Sequence, residues 1–254
     1  MNMVDDVKKR SYQKIRGLKY NVKKSTFETL CNIEFGDFRG QYVDQRKMAE
    51  FNLDLDNRSC LGRVAQSAAV IEKHFPDINL HIGEVRKDWF AEKMLEMLAL
   101  DPKRAYDSSF MSELLMYEEP HMVLMMDDVQ FEPLSIQFGQ YVQHPEVATF
   151  PVWEAIASSV LVSKAWLEQD PVLKMQILKQ SEELCFGTTL VAENMCELLE
   201  FFGRKEELVS KVEWCAKNHT CARNLYCYYL LTGDRSVYDM LVYLYTEKVF
   251  EYLC

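Results

Sequence analysis

Apolar side chains recur at intervals of three and four residues between Cys60 and Ile71. The positions that follow this spacing are Leu61, Val64, Ala65 and Ala68. Such a period predicts an amphipathic helix that is buried along one face. Pro76 ends the pattern, because proline removes a hydrogen-bond donor and does not fit the interior of a helix.

Alternation of apolar and polar residues appears next in residues 78–85, which predicts a strand. Two further apolar runs flank Asp127 and Asp128, and this arrangement predicts a β-hairpin with a two-residue acidic turn. With that turn, residue 121 faces 134 and residue 123 faces 132. His121 and Glu132 are then diagonal neighbours on one face of the hairpin, within reach of a long side chain.

Weaker helical patterns complete the first half of the chain. They cover residues 4–20, 43–51, 89–98 and 110–116. Ser25 and Glu28 have the spacing of a capping box, which is typical of the start of a helix. Helices mixed with a strand and a hairpin predict an α+β domain over residues 1–145.

From Pro151 onward the pattern predicts helices and no strand. The six segments are 153–168, 171–186, 188–202, 204–217, 219–232 and 235–252. Similar contexts after Gly203 and Gly233 indicate helical hairpins in a tetratricopeptide-like repeat, and a plain helical bundle remains the alternative. An all-α domain is therefore predicted over residues 150–254, with the boundary at 143–152, where His144-Pro145 and Pro151 interrupt the pattern.

Charge is distributed unevenly along the 254 residues. The whole chain has a net charge of −10, whereas residues 1–24 contain eight Lys or Arg against Asp5 and Asp6. An acidic body argues against a nucleic-acid-binding protein. The basic N-terminal region is interpreted as a solvated first helix, or as a contact for an acidic partner or for the protein's own acidic body.

Composition favours a folded protein of a reducing compartment. Hydrophobic residues make up 48% of the chain, which favours a packed core over disorder. No apolar stretch follows the charged N-terminus, and no run of about 18 apolar residues occurs, so neither a signal peptide nor a membrane span is expected. The eight cysteines are then expected to be reduced thiols, and the location cytoplasmic.

One cysteine has the position that nucleophilic chemistry requires. Cys60 is the first residue of the predicted helix, where aligned backbone dipoles and amide groups favour a thiolate. A cysteine hydrolase also needs a base and a group that orients the base. His121 and Glu132 of the predicted hairpin supply both, so that Cys60, His121 and Glu132 form a hypothetical catalytic triad.

The order of these features resembles the transglutaminase-like superfamily of papain-type cysteine hydrolases. A cysteine leads a helix, a strand follows, and a histidine lies on a hairpin whose second strand ends in Glu132-Pro133. Glu132 stands where that family usually has aspartate. The resemblance covers about residues 40–140 and implies a papain-like fold, with Cys60 as nucleophile, His121 as base and Glu132 as the acid. With the helical second half, the chain also resembles the SirB1 family.

Two functions follow from this interpretation. The first is a cysteine-dependent hydrolase or acyltransferase that acts on an amide bond of a protein or peptide through a thioester, with the choice among peptidase, deamidase and transglutaminase left open. The second is a non-catalytic protein–protein interaction module with an idle triad. No cofactor and no metal are predicted; Cys215, His219, Cys221 and Cys227 fit no zinc spacing and are interpreted as core residues.

Overall fold

A computed structural model describes residues 2–36, 45–86, 120–126, 129–131, 148–186, 188–218, 228–237 and 239. Its helices are α1 (Met3–Lys14), α2 (Thr26–Cys31), α3 (Gln45–Leu53), α4 (Cys60–His74), α5 (Val152–Leu167), α6 (Pro171–Leu184), α7 (Thr189–Phe201) and α8 (Lys205–Asn218). Its strands are β1 (Leu80–Arg86), β2 (Pro120–Met126), β3 (Val129–Phe131) and β4 (Ala148–Pro151). The described residues are thus mostly helical with a small sheet, as expected of an α+β protein.

The strands form a single sheet in the order β3-β2-β1-β4. β1 pairs with β4 and β2 pairs with β3, both antiparallel. Strand β4 is an addition to the prediction, because it lies where the sequence indicates only a break between two halves. The strand predicted at residues 78–85 is confirmed as β1.

The register of the predicted hairpin is confirmed. Leu124 pairs with Phe131, and Met126 pairs with Val129, so that Asp127 and Asp128 are the two residues between the strands. A shift of one residue would have moved every side chain to the opposite face. The pairing of Leu124, Met125 and Met126 with β3 is therefore the one that the two-residue turn predicts.

Helix α4 lies at the centre of the core. Ser59 caps its N-terminus, with its hydroxyl oxygen accepting a hydrogen bond from the Gly62 amide at 3.0 Å. The sequence predicts burial along one face, but every residue from Leu61 to Ile71 is buried. The prediction was wrong in this respect because α1, α3 and α5 all contact α4.

Helix α5 shares this core. Val152, Ala155 and Ile156 of α5 belong to the same buried cluster as Val64 and Ile71 of α4. The chain divides into two compact units. The first contains residues 1–85 and 122–195, and the second contains residues 86–121 and 196–254. This grouping differs from the predicted boundary at 143–152, since α5 and α6 group with the first half of the chain. The predicted domains, 1–145 and 150–254, stay a prediction, because parts of both lie outside the described residues.

The predicted helices of the second half are confirmed where the structure describes them. Helices α5 to α8 correspond to the first four of the six predicted segments. Residues 228–232 and 235–237 are helical as well. Whether these helices form a repeat or a bundle stays a prediction, as do the helices at 89–98 and 110–116, which lie outside the described residues. Across the described ranges, no helix has both the length and the apolar character that crossing a membrane requires.

Glu72 joins the N-terminal helix to the core. Its carboxylate accepts hydrogen bonds from the Lys8 ammonium at 2.7 Å, the Tyr12 hydroxyl at 2.9 Å and the Trp153 indole at 3.3 Å. Three donors from α1 and α5 therefore converge on one acceptor in α4. Desolvation, together with the bond to Glu72, raises the pKa of Tyr12 to about 12.

We expect this tyrosine to make the protein sensitive to alkaline pH. Its pKa is about 12 in the folded chain and about 10 when unfolded, so its contribution is complete below pH 10 and is lost as pH rises towards 12. Urea unfolding across that range should show a steeper loss of stability for the wild type than for Tyr12→Phe. Parallel stability curves for the two proteins would contradict this assignment.

Candidate active site

Cys60 occupies the first position of α4, as the sequence predicts. Ser59, its neighbour, has an extended backbone and caps the helix. The Cys60 side chain is half-buried, so that its sulfur is neither sealed in the core nor fully solvated. The position places the thiol at the positive end of the helix dipole, which favours negative charge there.

The Cys60 thiol lies against strand β2. Its sulfur donates a weak hydrogen bond to the main-chain carbonyl of Met122 at 3.5 Å. Met122 directly follows His121 in the chain. In turn, the Met122 sulfur accepts a hydrogen bond from the Ser159 hydroxyl at 3.3 Å. Met122, which lies in the same compact unit as Cys60, is therefore held beside the start of α4 and beside α5.

The other two members of the predicted triad are placed less completely. The backbone of His121 lies in β2, where sequence analysis expects it. Glu132 lies outside the described residues, one position after β3 ends at Phe131. The confirmed hairpin register covers residues 124–126 and 129–131 and reaches neither His121 nor Glu132. The triad itself remains a prediction.

The turn that precedes Cys60 packs unusually closely on the first turn of α4. A methyl group added at Gly62 would lie 1.9 Å from the main-chain oxygen of Asp56, far inside the contact distance of two atoms. Leu55, one residue before Asp56, is fully buried and has a φ of 50°. Such left-handed backbone is strained for a residue with a branched side chain, so that the surrounding packing must hold the turn in place.

Side chains brace the same turn. The Arg58 guanidinium donates to both carboxylate oxygens of Asp56, at 2.8 and 2.7 Å. These hydrogen bonds hold the pKa of Asp56 below its ordinary value. The Arg58 guanidinium also lies 4.1 Å from the centre of the Phe51 ring, a distance typical of a cation–π contact.

Two buried polar side chains of α4 donate hydrogen bonds to main-chain carbonyls of the loop that precedes Cys60. Gln66 donates its amide to the Leu55 carbonyl at 2.9 Å, and Arg63 donates to the Asn57 carbonyl at 2.6 Å. The Arg63 guanidinium also lies over the Phe35 ring, 5.3 Å from its centre. The loop that delivers Cys60 to the helix is therefore fixed at both ends, and fixed positioning is what a nucleophile requires.

This arrangement can present a thiol to a carbonyl carbon, with helix amides close by. The contact with the Met122 carbonyl is one in which the Cys60 thiol acts as the donor. A base is then needed before the sulfur can attack. No base is assigned by the described side chains, and His121 is the residue that the sequence predicts for this role.

The sequence analysis did not identify the roles of Gly62 and Leu55. It also did not identify Arg63 and Gln66, the buried polar residues that bind the loop carbonyls. The glycine carried a signal, since a glycine inside an otherwise regular helix often marks a close backbone approach. Leu55 carried none, because a leucine in left-handed backbone is a consequence of tertiary packing. Arg63 and Gln66 interrupt the apolar pattern and read as surface positions.

The remaining described cysteines offer no comparable site. Cys31 is exposed, and partial desolvation raises the pKa of its thiol. Cys185 and Cys215 are buried, and Cys196 is half-buried but lies within α7 rather than at the start of a helix. Among the described residues, no group of three or more His, Cys, Asp or Glu side chains is arranged to hold a metal ion. His219, Cys221 and Cys227 lie outside the described residues.

Comparison with known proteins adds no relative. No protein-family model, no curated protein and no solved structure matches this chain.

Proposed function

We propose that this chain is a cysteine-dependent hydrolase or acyltransferase of the transglutaminase-like type, acting on an amide bond of a protein or peptide. Cys60 is the nucleophile, His121 the base and Glu132 the group that orients the base. The observation that carries the proposal is the position of the Cys60 sulfur, at the N-terminus of α4 and 3.5 Å from the carbonyl of the residue after His121.

The chemistry proceeds in two acyl-transfer steps. His121 takes the proton of the Cys60 thiol, and the thiolate attacks the carbonyl carbon of the amide. The tetrahedral intermediate collapses, the amine leaves with the proton from the imidazolium, and a thioester remains on Cys60. Water or a second amine, deprotonated by His121, then attacks the thioester and releases the thiol. Backbone amides at the start of α4 supply hydrogen bonds to the oxyanion.

Competitive alkylation tests the nucleophile. Under limiting iodoacetamide at neutral pH, we expect Cys60 to react before Cys31, although Cys31 is exposed and Cys60 is half-buried. Accessibility alone predicts the reverse order, and the raised pKa of Cys31 moves its own reaction to higher pH. Peptide mass spectrometry of the alkylated protein measures both rates in the same sample.

Variants assign the base in the same assay. His121→Ala should slow the alkylation of Cys60 by about tenfold or more, because general-base assistance contributes on the order of 10²–10⁴ in rate. Glu132→Gln should slow it less, since an amide still orients the ring. His74→Ala is the matched control, because His74 lies at the far end of α4. Equal rates for Cys60 and Cys31, unchanged by His121→Ala, would refute the catalytic proposal.

The second function, a non-catalytic interaction module, is favoured by one observation. The thiol proton of Cys60 is engaged by a main-chain carbonyl, as it is for a cysteine that only packs. In that case Cys60→Ser should preserve the fold and leave binding of the partner unchanged. The alkylation order distinguishes this function from the first.

A further inference from the structure

The basic N-terminal region divides into cations that the protein neutralises itself and cations that it does not. Lys8 pairs with Glu72 at 2.7 Å, and Arg10 pairs with Asp6 at 3.3 Å. Arg10 also donates to the Leu53 carbonyl. Lys8 and Arg10 therefore face the protein's own acidic and carbonyl groups, which is one of the roles that the sequence suggests for this region. Lys9, between them, is exposed and forms no ion pair among the described residues.

The five basic residues that follow behave differently. Within the described part of the chain, none of them forms an ion pair, and all five are exposed: Lys14, Arg16, Lys19, Lys23 and Lys24. We call residues 14–24 the basic segment. Even Glu34, whose backbone pairs with that of Lys19, makes no ion pair with it. Lys14 lies near enough to Asp56 to lower the pKa of that carboxyl. The other four cations contrast with the net charge of −10 of the whole protein.

The backbone of the basic segment is held in place beside α2. The Glu34 amide donates to the Lys19 carbonyl at 3.0 Å, and the Lys23 amide donates to the Thr29 hydroxyl at 3.0 Å. Asn32 also exchanges hydrogen bonds with the backbone of Asn21, at 2.6 and 3.0 Å. The segment is therefore preordered, which lowers the entropic cost of binding a partner.

An apolar side chain lies among these charges. Val22 is 48% exposed, between Lys19 and Lys23 in the sequence. A partner that complements the basic segment must therefore supply several negative charges and an apolar contact. Acidic peptide segments that contain aliphatic residues have this chemistry.

Extended polyanions fit less well. The protein outside residues 1–24 is strongly acidic, so that a membrane surface or a long nucleic acid, which extends beyond the segment, meets like charge there; salt screens this repulsion only beyond about 8 Å. A short peptide contacts the segment alone. Single-stranded nucleic acids also need aromatic stacking platforms, and the one ring in the segment, Tyr20, is held against His74 with 5.9 Å between ring centres.

We propose that the basic segment, residues 14–24, is a docking site for an acidic peptide segment of a partner protein that carries an aliphatic side chain. This surface is independent of Cys60, and its function stands whether or not Cys60 is catalytic.

Fluorescence anisotropy with the full chain tests the proposal. The probe is a rhodamine-labelled synthetic peptide of ten residues that alternates Glu and Leu. Lys19→Glu with Lys23→Glu should weaken binding by about tenfold, since each reversal replaces an attraction with a repulsion. The matched control carries the same charge change on α5 and α6, Lys164→Glu with Lys179→Glu, both at exposed positions, and should alter affinity by less than about twofold.

Further arms identify the partner class. Val22→Ser should lower the affinity for the Glu-Leu peptide by about threefold and leave the affinity for an all-Glu peptide unchanged. Lys19→Ala with Lys23→Ala should act in the same direction as the reversals, with a smaller effect. The proposal is overturned if the probe does not bind, if both charge-reversal proteins lose affinity equally, or if oligothymidine or phosphatidylserine vesicles bind the segment more tightly than the peptide.

Discussion

Gly62→Ala should destabilise the protein by about 3 kcal/mol, at the upper end of what overpacking costs. The added methyl group would lie 1.9 Å from the Asp56 carbonyl oxygen and 2.8 Å from the Leu55 carbonyl carbon. Both contacts are with backbone, so that no side chain can rotate away. Relief requires the turn to move off α4, which breaks the hydrogen bonds from Ser59 and Gln66 to the same two carbonyl groups. Urea unfolding followed by circular dichroism measures the loss.

Gly17→Ala is the matched control. No atom lies within 4 Å of the position that its methyl group would occupy. The stability of this variant should stay within about 0.5 kcal/mol of the wild type, or rise slightly, since alanine restricts the unfolded chain more than glycine does. A Gly62→Ala protein as stable as Gly17→Ala would mean that the turn does not approach α4 in solution.

The turn at Leu55 also bears on the candidate site. Left-handed backbone costs a residue such as leucine about 1–2 kcal/mol, and the Leu55 side chain is completely buried. Strain of this kind persists only where neighbouring contacts over-determine it, and it clusters at functional sites. Here it lies five residues before Cys60, in the loop that orients the first turn of α4, which is consistent with a fixed thiol.

Local patterns were enough to predict the elements that carry the candidate site. Cys60 was predicted to begin α4 because an apolar repeat of three and four is a local signal. The hairpin register followed from Asp127 and Asp128, since a two-residue turn leaves a single pairing for the flanking strands. Both features depend on residues that are close in sequence.

Features that depend on distant residues were not predicted. Strand β4 has four residues and ends at Pro151, and it is a strand because β1 offers it a hydrogen-bonding edge. The burial of Arg63 and Gln66 likewise depends on loop carbonyls supplied by Leu55 and Asn57. A polar residue in a helix reads as a surface position until its partner is known, because burial is acceptable only with that hydrogen bond.

The composition of α5 explains why this helix lies in the core, although the sequence analysis did not predict it. Nearly every residue of α5 from Val152 to Ser163 is buried, and a helix that is apolar on most sides belongs inside a protein. The interruptions at Pro145 and Pro151 suggested instead that a new domain begins there. Two prolines end an element, but by themselves they do not show where one hydrophobic core ends and the next begins, and the predicted boundary at 143–152 stays a prediction.

Ile156→Ala should therefore lower the stability of α4, in the first half of the chain, as much as that of α5, the helix that contains Ile156. Ile156 is completely buried, in one cluster with Val7 of α1 and Val64 of α4. Removing most of its side chain leaves a cavity, and substitutions of this kind cost about 2–5 kcal/mol. Hydrogen exchange of the α4 amides measures this effect in the intact chain. The free energy of the opening that exposes those amides should fall by the same amount as the free energy of global unfolding.

Leu173→Ala provides the comparison for this variant. Leu173 is an aliphatic residue of α6 with 46% of its surface exposed, so its truncation should cost less than about 1 kcal/mol and leave exchange in α4 unchanged. Two separate domains that meet near residue 150 would give a different result, in which Ile156→Ala accelerates exchange in α5 and α6 alone. Acceleration in α4 therefore requires that the candidate nucleophile and the helices after residue 150 depend on one core, and any fragment ending before α5 would then lack part of the support for Cys60.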